Sequence, residues 1–309
     1  MKYQELSPDS VSMVESAGLQ VSQVVSQVKI ALEEDFAYGP DVTTAATVPA
    51  DQRVVAAVAA RKKGVLAGLP VVLIAFDMVM GPEQWGLLDH QDDGTVLSPG
   101  DNALRLEAPT RGLLTAERTA LNFLGHLSGV ATVTAAWAAQ VVPARVRDTR
   151  KTLPGLRVLE KYAVRCGGGL NHRMGLGDAA LIKDNHVAAA GGVGAAIAAV
   201  RARAPSVPLE VECDSAAQVG AAIAAGAELI LLDNMTIDQM RHCVALGRSS
   251  GRLVQFEASG GLTLDKASAV AATGVDFVAV GALTHSAPVL DLGLDVLRVV
   301  DPSVGSSGE

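Results

Sequence analysis

The chain has 309 residues, enough for about two domains at ~150 residues each, and 49% hydrophobic with 19% charged residues excludes a disordered polymer. A net charge of −8 and a pI near 5.3 exclude a broadly basic nucleic-acid binder. The longest apolar run, the 12 residues VLAGLPVVLIAF, contains Pro70, stops at Asp77 and is too short to span a bilayer.

Residues 1 to 20 carry Glu5, Asp9 and Glu15 without an apolar core, so no signal peptide is expected. Cys166, Cys213 and Cys243 are odd in number and far apart, which gives neither a disulfide framework nor a zinc spacing. Both points fit a cytoplasmic protein. Residues 21 to 34 space apolar side chains as an amphipathic helix does. GPDVTT follows as a turn, and RVVAAVAA at 53 to 60 reads as a strand. Pro70 opens a helix through Met80, at the first-turn position proline tolerates. Residues 92 to 108 alternate around glycine turns as β-hairpins do. The pattern is similar to the small sandwich that carries biotin or lipoate, but no attachment lysine sits at a hairpin tip. The first 112 residues are therefore expected to form a mixed α/β domain with antiparallel strands. Residues 113 to 139 read as one or two helices broken near Ser128 and Gly129.

From residue 144 the rhythm changes. Strand-like runs (ARVRDT, ALIKDN, LEVEC, LILLD, LVQFEA, DFVAVGA) alternate with helix-like runs, and the last four recur every 20 to 25 residues. Buried aliphatic strands each followed by a helix imply a parallel sheet, either an open doubly wound one or a barrel. Glu212, Asp233 and Glu257 fall at or near strand C-termini, and Lys183 and Asp184 do the same one unit earlier. That is the edge on which barrels place their chemistry. A carboxylate at the end of an apolar strand is costly without a partner.

Charge is concentrated in residues 145 to 186. Nine of the 25 Lys and Arg lie there against four acids, a net +5 inside an acidic chain. Arg150 and Lys151 follow one strand, His172 and Arg173 follow the glycines 167 to 169, and Lys183 ends another strand, so the cations converge and suit small anions. The last two strand ends carry SGG at 259 to 261 and GAL at 281 to 283, with Ser259 and His285 adjacent. Such loops let backbone N–H groups approach a phosphate. Carboxylates without a His or Cys cage suit Mg²⁺.

The segments RDTRKTLPGLRVLEKYAV, GGGLNHR and GDAALIKDNH, with TAERTALNFLGHLSG, LEVECDS, LILLDN, FEASGGL and VAVGALTHS around them, resemble the quinolinate phosphoribosyltransferases. The resemblance covers nearly the whole chain, in order, with weak ends. It implies an irregular, incomplete α/β barrel over residues 113–286 and a smaller N-terminal α/β sandwich domain over residues 1–112, against which the tail 287–309 packs. It implies transfer of the phosphoribosyl group of phosphoribosyl pyrophosphate to quinolinate with decarboxylation, assisted by Mg²⁺. Matched residue by residue, Arg118, Thr149, Arg150, His172, Arg173 and Lys183 hold quinolinate, and Lys151 meets pyrophosphate. Glu212 and Asp233 hold the ribose hydroxyls or the metal, and Ser259, Gly260, Gly281 and His285 hold the 5′-phosphate. Lys151, Lys183, Glu212 and Asp233 are the expected catalytic groups. Arg118 is expected to serve the site of a neighbouring subunit, which implies a homodimer or a higher oligomer, with no nucleic-acid or membrane partner. Two other readings remain: a Schiff-base aldolase with Lys183 as nucleophile, and a non-catalytic anion binder or the related molybdate-operon protein of similar fold.

Overall fold

Val24, Val28 and Leu32 lie four residues apart and are all fully buried, which places one apolar stripe of a helix against the protein. The computed structural model describes residues 5–301, and the remainder of the expected tail, 302–309, lies outside the described residues. In chain order the elements begin with helices α1 (Pro8–Ser16), α2 (Val21–Phe36) and α3 (Val42–Thr47). Strands β1 (Arg53–Ala60) and β2 (Gly64–Val65) lead to α4 (Leu69–Met80), and β3 (Gly86–His90), β4 (Val96–Leu97) and β5 (Asn102–Pro109) lead to α5 (Thr110–Gln140). Then come β6 (Arg145–Arg147), α6 (Arg157–Cys166), β7 (Ala180–Ile182), α7 (Asp184–Ala190), α8 (Val193–Arg203), β8 (Leu209–Cys213) and α9 (Ala216–Ala224). The chain continues through β9 (Leu229–Asp233), α10 (Ile237–Ser249), β10 (Gln255–Ser259), α11 (Ala267–Ala271), β11 (Phe277–Ala279), α12 (Ala282–His285) and β12 (Leu292–Val299). No helix of the described residues is long and apolar enough to cross a membrane.

The chain packs as two compact units. One comprises the chain up to Thr132, Pro154–Gly167 and everything from Ala287; the other comprises Val133–Leu153 and Gly168–Ser286. Helix α5 runs through both, and α6 belongs with the first, so the units do not coincide with the 1–112 and 113–286 division read from the sequence.

In the first unit an antiparallel sheet has the order β12-β1-β5-β3. The tail supplies β12, which pairs with β1 along its length. Helix α4 is buried nearly all round. Its N-terminal amides Gly68 N and Leu69 N donate to the Asp93 carboxylate at 2.7 and 3.2 Å, which satisfies donors the helix itself leaves orphaned. Three expectations fail locally. GPDVTT is not only a turn: Asp41 accepts from Thr44 N at 2.9 Å and caps α3. The stretch 92 to 108 holds no hairpin of its own, because β4 pairs with β2 while β5 pairs with β1 and β3. Helix α5 does not break at Ser128 and Gly129. Ser128 Oγ accepts from Ala67 N at 3.0 Å, and a Cβ on Gly129 would overlap the Pro288 carbonyl oxygen, so both residues serve close approach. Gly129→Ala is therefore expected to destabilise by ~1–3 kcal/mol through overpacking, seen as a lower Tm in a thermal melt. An unchanged Tm would remove that explanation of the glycine.

The second unit is built on six parallel strands in the order β6-β11-β10-β9-β8-β7. Among the described residues β6 and β7 do not pair, and a single bridge from Arg147 to Leu170 extends the β6 edge. The barrel is thus incomplete, as expected, and it is open. In register Ser259 lies beside Asp233, and Leu231 lies between Glu212 and Glu257. The C-terminal ends of the strands therefore form one edge, and the groups just beyond them share one mouth.

Candidate active site

A cavity of about 510 Å³ opens at that mouth. Thr149, Arg150, Lys151, His172, Arg173, Lys183, Glu212, Asp233, Ser259 and Gly260 all line it, and every one belongs to the second unit. Strand β6 ends before Asp148, so Asp148 and Thr149 lie beyond the strand they were read into, and Arg150 and Lys151 follow in the loop, as expected. Thr149 Oγ1 accepts from Lys151 N at 3.0 Å, and Thr284 Oγ1 donates to the Lys151 carbonyl at 2.9 Å. Gly281 and His285 do not line the cavity. They stand behind it: a Cβ on Gly281 would come within 3.0 Å of Lys151 Cδ and 3.4 Å of His285 Nε2. Glycine at 281 thus leaves room for the Lys151 stem.

Lys183 lies one residue past β7, at the N-cap of α7. Its Nζ donates to Glu212 Oε2 at 2.8 Å. His186 is spent locally, its Nδ1 accepting from Lys183 N at 2.9 Å. Arg173 is half-buried and donates through Nη1 to the Ala179 carbonyl at 3.1 Å. Burial and the neighbouring Arg150 push its guanidinium below the usual range, while Asp178 and Glu210 pull it back. A guanidinium short of nearby negative charge is suited to an incoming anion.

Asp233 ends β9, and Asn234 beside it adopts φ +52°. Asn234 Nδ2 donates to Asp233 Oδ2 at 2.7 Å, while Asn234 N donates to the Ser259 carbonyl at 3.1 Å. Gly260 (φ +93°) closes on this turn so tightly that a Cβ would overlap Asn234 Oδ1. A left-handed asparagine at a site edge is backbone strain retained to aim a neighbour. One oxygen of Glu212 is committed to Lys183 and one of Asp233 to Asn234. The second oxygens leave an all-oxygen donor pair, which fits a hard divalent cation such as Mg²⁺.

The sequence reading named Glu257 and His172, which also line the cavity, but missed Glu210 and the roles of Arg147 and Asp148 behind them. Glu210 and Glu257 are buried, as are Asp148 and His172. Arg147 Nη1 donates to Glu257 Oε2 at 2.6 Å, and the guanidinium lies 4.7 Å from the Phe277 ring centroid. Burial, reinforced by Glu210, holds Glu257 above the ordinary carboxylate range, with Arg147 acting against the shift. The signal for Glu210 was present in LEVEC: residues two apart on a strand share a face, so Glu210 points to the side Glu212 does. Asn234 carried a weaker signal as the asparagine directly after a strand end.

Arg118 is exposed on α5 in the first unit and is not among the residues lining the cavity.

The family models for the N-terminal and C-terminal domains of quinolinate phosphoribosyl transferase match residues 41–128 and 130–295. A nicotinate-nucleotide pyrophosphorylase [carboxylating] of Mycobacterium leprae is 53% identical over 271 residues, covering 87% of this chain and 95% of that protein. A probable one from Bacillus subtilis is 40% identical over 82% of this chain and 87% of its own length. Among solved structures, NadC from Streptococcus pyogenes superposes with a TM-score of 0.86 at 40% identity, covering 92% of this chain and 99% of its own. The nicotinate-nucleotide pyrophosphorylase of Francisella tularensis does so with a TM-score of 0.84 at 35% identity, over 90% and 97% of the two chains. With both domain models matched in order on a fold that superposes nearly end to end, the chain belongs to the quinolinate phosphoribosyltransferase family.

Proposed function

We propose that this chain transfers the phosphoribosyl group of phosphoribosyl pyrophosphate to the ring nitrogen of quinolinate. The products are nicotinate mononucleotide, CO₂ and pyrophosphate, in NAD biosynthesis. The observation that carries the reading is a single cavity lined by the cations Arg150, Arg173 and Lys183 together with the carboxylates Glu212 and Asp233, with Lys183 Nζ on Glu212 Oε2 at 2.8 Å. That pairing suits a dicarboxylate acceptor beside a ribose whose anomeric carbon becomes positive.

In the reaction the bond from the anomeric carbon to pyrophosphate breaks, and a bond to the acceptor nitrogen forms. The 2-carboxylate then leaves as CO₂, and the ring carbon takes up a proton from solvent. Arg150 and Arg173 offer planar forks to the acceptor carboxylates, with Thr149 and Lys183 beside them and Arg118 of the partner subunit completing the set in a homodimer. His172 shapes this wall. Lys151 faces the departing pyrophosphate. Ser259 and Gly260 at the cavity, with Gly281 and His285 behind Lys151, are assigned to the 5′-phosphate. Glu212 and Asp233 hold the ribose hydroxyls and stabilise the developing positive charge. They are also the residues that would hold Mg²⁺, which when bound neutralises the pyrophosphate charge. Cytoplasmic location is part of the proposal and accords with Cys166, Cys213 and Cys243 all being free thiols.

The test is a panel of pyridine acids incubated with phosphoribosyl pyrophosphate and Mg²⁺, following CO₂ and pyrophosphate. Quinolinate is expected to react and nicotinate not to, because each cation left unpaired by a missing carboxylate costs ~2–5 kcal/mol. Comparable turnover of nicotinate would sink the assignment, and anion binding without turnover would favour the non-catalytic relative. The aldolase reading is disfavoured by the 2.8 Å contact of Lys183 Nζ with Glu212, which occupies the nitrogen a Schiff base requires as a free nucleophile. Borohydride trapping with carbonyl substrates should therefore leave Lys183 unmodified.

A further inference from the structure

The peptide N–H of Arg173 lies 2.7 Å from His172 Nδ1. A peptide nitrogen can only donate, so Nδ1 must carry a lone pair. A second proton at Nδ1 would set donor against donor. The imidazole in this conformation is therefore neutral, with its proton on Nε2, donated to Glu210 Oε2 at 2.7 Å. Glu257 Oε1 stands 3.7 Å from the same Nε2, and Arg147 holds the other oxygen of Glu257 at 2.6 Å. From the opposite side Asp148 accepts from His172 N at 2.8 Å and from Asn171 Nδ2 at 2.6 Å. Three strands thus converge on one loop: β6 with the residue after it, β8 through Glu210 and β10 through Glu257.

Glu210 Oε1 and Glu257 Oε1 are buried and have no hydrogen-bond partner. Two desolvated carboxylates beside one arginine are a costly way to fill space, and an orphaned buried acceptor calls for an explanation. The His172 ring gives the pair a purpose: Glu210 Oε2 accepts its Nε2 proton, and Glu257 Oε1 stands 3.7 Å from the same nitrogen. With the ring turned toward the carboxylates, Nδ1 is free to fix the peptide of Arg173, and Arg173 lines the cavity.

We infer that Glu210 and Glu257, braced by Arg147, are positioning residues. They fix His172 as the neutral Nε2–H tautomer, and His172 in turn fixes Arg173 in the acceptor pocket. His172 then acts through Arg173 and is not itself a cation that binds a carboxylate. This rests on the proposed reaction for its consequence, though not for the tautomer.

Two measurements decide it. Nitrogen-15 NMR of the histidine-labelled wild-type protein, with His172 assigned by the signal lost in His172→Asn, needs neither substrate nor turnover. The expected result is an unprotonated Nδ1 and a protonated Nε2. A protonated Nδ1, alone or in an imidazolium, overturns the inference whatever the enzyme's substrate is. Steady-state kinetics of Glu210→Leu and Glu257→Leu, which remove the acceptor, form the second measurement. The KM for quinolinate should rise roughly ten- to a hundredfold, the scale on which a small misplacement of a binding group acts, with the KM for phosphoribosyl pyrophosphate held within about twofold. His172→Asn retains an acceptor near the Nδ1 position and should keep more quinolinate affinity than His172→Leu. Equal losses for both substrates, or no loss in either leucine variant, would reject the positioning role. A wild-type protein inactive on quinolinate would reject the reaction instead, and the NMR result would still judge the tautomer.

Discussion

Replacing Lys183 with alanine is expected to lower kcat/KM for quinolinate by roughly 10²–10³-fold, the scale on which loss of one preorganised donor acts. Lys183 sits just past β7 and reaches Glu212 Oε2 at 2.8 Å, with the lysine side chain 48% and the glutamate 14% exposed. Two effects follow from its loss. The anionic ligands lose a cation, and the Glu212 carboxylate is left to repel them. A double-mutant cycle separates these effects. If Lys183 acted only through Glu212, the losses would not add, and the double variant would be no worse than Glu212→Gln alone. The proposed role predicts a double variant clearly worse than Glu212→Gln, because the ligand-facing cation is also missing. The melting temperature should change little, since a half-exposed ion pair contributes little to stability. Full activity in Lys183→Ala, or a double variant no worse than Glu212→Gln, would remove Lys183 from the acting groups.

The parts of this fold that were legible in the sequence are those where local pattern and packing agree. The βα rhythm from residue 144 gave the parallel sheet, because a strand buried on both faces reads as an aliphatic run whatever lies beside it. Strand β1 and helices α2 and α4 were legible for the same reason. Illegible features depended on partners distant in sequence. Strand β4 has the alternation of a hairpin arm, yet it pairs with β2 some thirty residues earlier. Ser128 and Gly129 look like helix breakers, and only the Ala67 amide and the Pro288 carbonyl reveal why a continuous helix needs small residues there. In the site, groups that face the cavity were found because charge at a strand end is conspicuous. Glu257 was found the same way, but Glu210 behind it was not. Glu210 is one letter in an apolar strand, and its contact with His172 bridges 38 residues of sequence. Nor can sequence alone tell whether a histidine near arginines is a cation or a neutral brace, because the answer turns on which ring nitrogen meets a peptide N–H.

Mixing two impaired variants, Arg118→Ala and Lys183→Ala, is expected to restore about a quarter of the wild-type sites after joint unfolding and refolding. Arg118 lies on α5 in the first unit, exposed, whereas Lys183 and the residues lining the cavity lie in the second. The proposed homodimer brings Arg118 of the partner subunit to each cavity. In a mixed dimer the subunit that keeps Lys183 then faces a partner that keeps Arg118, so one site is whole, and the other lacks both groups. Random pairing makes half of all dimers mixed, each with one whole site in two, which gives the quarter. Were Arg118 to serve its own cavity, every site in every dimer would lack one group or the other. Activity would then remain at the level of the separate variants while native mass analysis showed mixed dimers present. Salt dependence adds a second check. Arg118→Ala alone should raise the KM for quinolinate more than that for phosphoribosyl pyrophosphate, and the loss should shrink at high ionic strength, because a long-range attraction between an exposed guanidinium and a dicarboxylate is screened by salt. A loss that ionic strength does not alter would indicate that Arg118 acts through packing of α5, and the shared site would have to be abandoned even though the reaction assignment stood.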